Sequence, residues 1–150
     1  MKQTEYRTLR GFLNGEEPDE EIYFAYSATL RIFGNINDLD DISSNLGFEP
    51  TSSHKKGERR GPRSNPYMHD MWLYKAQIDE ETALEKHIDE LWRKLRSHKE
   101  YLLELKKTLT VDVFLGYRSN SDTAGFEVPH TSLEIFAELE IPFSLSIIIT

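Results

Sequence analysis

Between Ile22 and Phe33 the chain alternates. Tyr26, Ala28, Leu30 and Ile32 fall on one parity, and Ser27, Thr29 and Arg31 on the other. A period of two predicts a strand with one buried face. Gly34-Asn35 ends it. Asn37 is placed to cap the helix that follows, with Asp38, Asp40 and Asp41 near the positive end of its dipole. Leu39, Ile42 and Leu46 recur at helical spacing, Gly47 supplies the stop, and Pro50 prevents resumption. A second strand is predicted over Met71 to Ile78, with Trp72, Tyr74, Ala76 and Ile78 on one face. Asp79 is read as the cap of a long amphipathic helix whose apolar face is Leu84, Ile88, Leu91 and Leu95, with Trp92 beside it. Ser97-His98 interrupts it, and Tyr101, Leu102 and Leu105 predict a short helix to about Lys107.

Leu109, Val111, Val113, Leu115 and Tyr117 then alternate against Thr110, Asp112 and Gly116, which predicts a third strand. Arg118 to Gly125 is a polar loop, and Phe126-Glu127-Val128 a short extended piece. Thr131-x-x-Glu134 has the spacing of a capping box before Leu133, Phe136 and Ala137. Phe143, Leu145, Ile147 and Ile149 alternate with Ser144 and Ser146 in a fourth strand.

These elements make an α+β fold: a four-stranded, partly antiparallel (mixed) sheet. Two strand-helix-strand units, at about 22–78 and 109–149, flank the long helix. Parallel strands buried on both faces would read as continuous apolar runs. The alternation therefore places helices mainly on one face and water on the other. At 150 residues the chain fits one domain. Residues 22–150 are assigned to it, and residues 1–21, ending in the acidic run Gly15 to Glu21, to an N-terminal arm. Tyr6, Leu9, Phe12 and Leu13 give that arm apolar residues with which to dock.

Composition narrows the function classes. The absence of cysteine removes disulfides, thiolate nucleophiles and cysteine-ligated metals. The first residues carry no apolar run behind their charges, and no stretch approaches the ~20 apolar residues of a membrane span, so the expectation is a soluble, cytoplasmic protein with no membrane contact. A net charge of −8 disfavours nucleic acid as a partner, since that binding rests on neutralising phosphates with Lys and Arg.

Candidate chemistry is sparse. The five histidines (His54, His69, His87, His98 and His130) show no metal-ligand spacing. No G-x-S-x-G elbow, P-loop or G-x-G-x-x-G occurs. The carboxylates at Asp38, Asp40 and Asp41 and at Glu80, Glu81 and Glu85 sit where helix dipoles explain them. The reading is of no catalytic residues, no metal and no cofactor, which favours a chain that is not an enzyme and leaves the question open.

One segment stands out. Thr51 to Pro66 holds five Lys/Arg and one Glu, leaving −12 on the remaining 134 residues. Gly57 and Gly61 let it turn, and Pro62 and Pro66 stiffen it. Arg59, Arg60 and Arg63 can present forked donors to a phosphate or carboxylate, and Lys55 and Lys56 add point charge. Trp72 follows, and an aromatic beside arginines is a feature of contact surfaces. Lys55, Lys56, Arg59, Arg60, Arg63 and Trp72 are thus the candidate binding residues, although core packing alone accounts for a Trp on the apolar parity.

The runs Tyr26 to Gly34, Ile42-Ser43-Ser44-Asn45-Leu46-Gly47-Phe48-Glu49-Pro50-Thr51, Lys56-Gly57 with the later Trp72, and Leu145-Ser146-Ile147 resemble a bacterial family of unknown function, the domain of unknown function numbered four-two-seven-nine. The resemblance covers about residues 22–149. It implies the fold and a bacterial origin and brings no catalytic residues with it. Small acidic bacterial proteins are often immunity proteins of toxin systems, an analogy of class.

The expected function is a non-enzymatic protein-binding module, an immunity- or antitoxin-like protein acting by charged-surface recognition on a protein partner that is itself basic. The alternative is an anion- or nucleotide-binding small-molecule domain, with enzyme activity open to it, using the basic loop 54–63. A structural or oligomerising domain is the third class.

Overall fold

The computed structural model describes residues 21–123 and 125–150. Apart from Glu21, the arm assigned to residues 1–21 lies outside them.

Five strands form one sheet in the order β2-β3-β1-β4-β5. β1 (Phe24–Gly34) is central, antiparallel to β3 (Asp70–Lys75) on one side and to β4 (Thr110–Ser119) on the other. β2 (Ser52–His54) pairs antiparallel with β3 at one edge, and β5 (Ser144–Ile149) pairs parallel with β4 at the other. The sheet is mixed, as expected, but has five strands rather than four. The added strand is β2. Its Ser-Ser-His sequence has no apolar alternation, because it is a three-residue edge that pairs through its backbone and buries no apolar face.

The alternating parities are the buried ones. Tyr26, Ala28, Leu30 and Ile32 of β1, Trp72 and Tyr74 of β3, and Val111, Val113, Leu115 and Tyr117 of β4 join a single apolar core. α2 (Leu84–Leu95) packs across β1 and contributes Leu84, Ile88, Leu91, Trp92 and Leu95. A 3-10 turn, Arg96–His98, leads into α3 (Lys99–Leu105), so the predicted break at Ser97-His98 is a tightening of the helix. The crossover from β4 to β5 carries a 3-10 turn, His130–Leu133, and α4 (Glu134–Glu138), whose Ile135 and Phe136 enter the same core.

Helix starts differ from the expected caps. α1 (Leu39–Leu46) is capped by Asp38, not Asn37: the Asp38 carboxylate accepts the Asp40 N–H at 2.9 Å. It closes on Gly47, whose N–H donates to the Ser43 carbonyl. Asp79 caps a turn, accepting the Glu81 N–H, while α2 begins beyond it with Ala83 as its first flank. The Thr131-Glu134 box does not form, because the backbone there is a 3-10 turn and Glu134 is the first residue of α4. β3 stops at Lys75, short of the expected Ile78, since the chain folds back so that the Tyr26 N–H meets the Glu80 carbonyl at 2.7 Å. Phe126 forms no strand and instead packs its ring on Tyr26 and Tyr117.

Candidate functional site

The basic segment is a structured hairpin. Its stem forms where the Gly57 N–H donates to the Tyr67 carbonyl at 2.9 Å and the Tyr67 N–H to the Glu58 carbonyl at 2.8 Å. Gly57 has φ +90, a left-handed conformation that a side chain would oppose, so the Lys-Gly step is needed for the turn. The His54 ring stacks on Tyr67 with centroids 3.5 Å apart and planes within 8°. Nearer the tip, the Ser64 N–H bonds the Gly61 carbonyl, and the Arg59 guanidinium donates to the Ser64 carbonyl at 3.1 Å.

Asp70 anchors this hairpin to the sheet. It occupies the first position of β3, on the same parity as Trp72 and Tyr74, and is buried. One carboxylate oxygen accepts the Lys56 N–H at 2.7 Å, the other the Ile36 N–H at 2.8 Å. These two backbone donors hold its carboxyl below the usual range, and Lys55, with Nζ 3.4 Å away, adds to the effect. Lys55 also donates to the Ile36 carbonyl at 2.5 Å. The end of β1, the base of the hairpin and the start of β3 therefore meet on one carboxylate.

The six predicted residues divide. Lys56, Arg59, Arg60 and Arg63 are exposed together on the hairpin. Lys55 is turned inward to Asp70 and Ile36. Trp72 is fully buried, with its indole N–H donated to the Ser43 hydroxyl at 3.0 Å, so its ring is part of the core and offers no face to a ligand. Two further residues, one on the hairpin and one at its anchor, are not among the six. Met68 stands 77% exposed beside Tyr67, and Asp70 carries the anchor. Asp70 had a signal, a lone charge on the buried parity of an otherwise apolar strand. Met68 had none.

The sheet's other face is water-facing and carries a second feature. Ser27, Gly116 and Ser146 lie in one row across β1, β4 and β5. A Cβ on Gly116 would sit 2.5 Å from the Ser27 hydroxyl oxygen, so the row has no room for a larger residue there. The resulting cavity, of about 190 Å³, is flanked by Phe114, Lys75, Glu80 and Arg118. Beside it Arg31 grips Asp112 through two bonds of 2.7 Å and lies over the Phe33 and Phe114 rings.

Among the described residues no group of three or more His, Asp or Glu side chains is placed to hold a metal ion, and no helix is long and apolar enough to cross a membrane. No curated protein and no solved structure matches the chain. The model of one family, a domain of unknown function (DUF4279), matches residues 23–150, which takes in β1 to β5 and the hairpin with its Asp70 anchor, and the chain belongs to that family.

Proposed function

We propose that this chain is a binding module that recognises a protein partner through its anchored basic hairpin. The observation that carries this reading is the pairing of order with exposure. Lys56, Arg59, Arg60 and Arg63 project from a hairpin whose stem, ring stack and Asp70 bonds are internal to the protein, with Met68 bare beside them. A hairpin already ordered before contact loses little conformational entropy on binding. Arg and Met are enriched in protein interfaces. The hairpin takes an acidic patch of the partner, while the −12 carried outside Thr51–Pro66 speeds the approach of a partner that is basic elsewhere. Neutralisation of a basic toxin in the bacterial cytoplasm is the specific form we favour, with Asp and Glu standing in for the toxin's anionic substrate.

Co-purification from the organism that makes the chain tests this. Tagged wild type should retain one protein in stoichiometric amount, and an Arg59→Ala, Arg60→Ala, Arg63→Ala variant with an unchanged melting temperature should release it. A protein retained equally by both would remove the hairpin from the account.

A second reading, binding of a small anion, is favoured by Lys75 and Arg118 beside the cavity on the open face. Phosphate or a nucleotide would then raise the melting temperature of the wild type but not of a Lys75→Ala, Arg118→Ala variant.

A further inference from the structure

β5 is an edge of the sheet, and among the described residues β4 is its one strand neighbour. Its sequence, Ser-Leu-Ser-Ile-Ile-Ile, has no charge and no proline. Ile147, Ile148 and Ile149 are 59%, 54% and 49% exposed. Native sheets guard such edges with charges, proline, bulges or short length. The opposite edge obeys that rule: β2 has three residues, all polar, and runs into Lys55 and Lys56. β5 does not, in a chain with 29% charged residues.

The register with β4 identifies what β5 offers. Ser119 lies opposite Ile149, and the Thr150 N–H donates to the Ser119 carbonyl at 2.9 Å. Along a strand the N–H and C=O of one residue point to the same side and alternate with those of the next. The even-numbered residues therefore face β4, and Leu145, Ile147 and Ile149 turn their backbone groups outward. The same three residues lie opposite Leu115, Tyr117 and Ser119, so their side chains share the helix-covered face.

We propose that β5 pairs antiparallel with β5 of a second copy of this chain, about a twofold axis at Ile147. In that register Ile147 opposes Ile147, and Leu145 opposes Ile149 of the second copy. Outward backbone groups meet outward backbone groups, and three aliphatic side chains from each copy meet on one face. No charged side chain stands on either strand, so two molecules of net charge −8 approach along an edge that adds no repulsion. A charged foreign strand finds no complement there, whereas an identical strand does, and a twofold pair closes both exposed edges at once.

The natural chain has no cysteine, so a single introduced cysteine reports the register. In Ile147→Cys the residue opposes itself, with a Cα separation of about 5.5 Å for a hydrogen-bonded pair, inside the range a disulfide spans. In Ser144→Cys, exposed on the same strand, the two cysteines lie six residues out of register, about 20 Å apart. Mild oxidation should give a disulfide-linked dimer with Ile147→Cys and not with Ser144→Cys. The mass of the wild type in solution should rise from 17.5 kDa towards twice that value with concentration, while Ile147→Lys stays at 17.5 kDa. Any other cross-linking pattern overturns the proposal. So does a wild type that stays a single chain up to about 1 mM, the outcome if β5 instead takes a strand from another protein.

Discussion

The carboxylate of Asp70 accepts the backbone N–H of Lys56 at 2.7 Å, and through that bond the base of the basic hairpin is fixed to a buried position of the sheet. The second oxygen holds Ile36, so the turn after β1 and the hairpin share one anchor. Replacing Asp70 with Asn puts an N–H₂ where one of the two backbone donors needs an acceptor. The Asp70→Asn variant should keep the fold of the sheet but release the hairpin. Amide exchange at Lys56 and Gly57 should accelerate by roughly tenfold or more, reading local opening rather than global unfolding.

The same anchor resists acid. Because the folded-state pKa of Asp70 is depressed, its contribution is fully present above the unfolded value of ~3.9 and is lost only as pH falls through the lower folded value. Hairpin amide protection should be the same at pH 5 as at pH 7.

His87 also loses its contribution as pH falls, but in a higher window. It is fully buried, and its Nε2 lies 3.0 Å from the Thr82 carbonyl. A carbonyl only accepts, so Nε2 carries the proton of a neutral ring. Burial is the main cause of its lowered pKa, and the charge of Lys75 adds to it. A base whose folded pKa is depressed contributes fully above ~6.5 and loses stability as pH drops below that value. Denaturant midpoints should fall between pH 7 and pH 5 in the wild type, and the slope should flatten in His87→Gln.

Trp72 and Ser43 form a buried hydrogen bond between β3 and α1. Ser43→Ala strands the indole N–H in the core and should cost ~1–3 kcal/mol in chemical denaturation. Trp72→Phe in the Ser43→Ala background should then cost less than it does alone, a coupling visible in a double-mutant cycle.

Gly116 and Ser27 couple on the open face. Gly116→Ala forces the Ser27 hydroxyl from its place, since the new Cβ would lie 2.5 Å from it. The cost should be about 1 kcal/mol and should largely vanish in the Gly116→Ala, Ser27→Ala double variant.

Period-two alternation made β1, β3 and β4 legible with their buried parities, because a half-buried strand imposes that pattern; it placed β5 too, but as an edge strand whose Ile147 and Ile149 stay exposed. β2 left no such mark, since an edge of three polar residues pairs through its backbone and buries no apolar face. The caps were misplaced wherever two eligible residues stood near each other, as with Asn37 and Asp38, or where a turn took the cap first, as at Asp79. At the candidate site the charge of Arg59, Arg60 and Arg63 was plain in the sequence. The order of the hairpin was not, because it depends on Asp70 meeting Ile36, 34 residues away, and on Tyr67 closing on Gly57 and Glu58. Lys55 read as a free cation for the same reason: its partners are brought to it by the fold.

The most direct measurement is the affinity of the purified partner for three proteins: wild type, the Arg59→Ala, Arg60→Ala, Arg63→Ala variant, and Asp70→Asn. Substitutions at exposed positions should leave stability within about 0.5 kcal/mol. The triple variant should lose at least tenfold in affinity and much of the salt dependence, and Asp70→Asn should lose affinity with its arginines intact. Equal affinity in all three proteins would contradict the account.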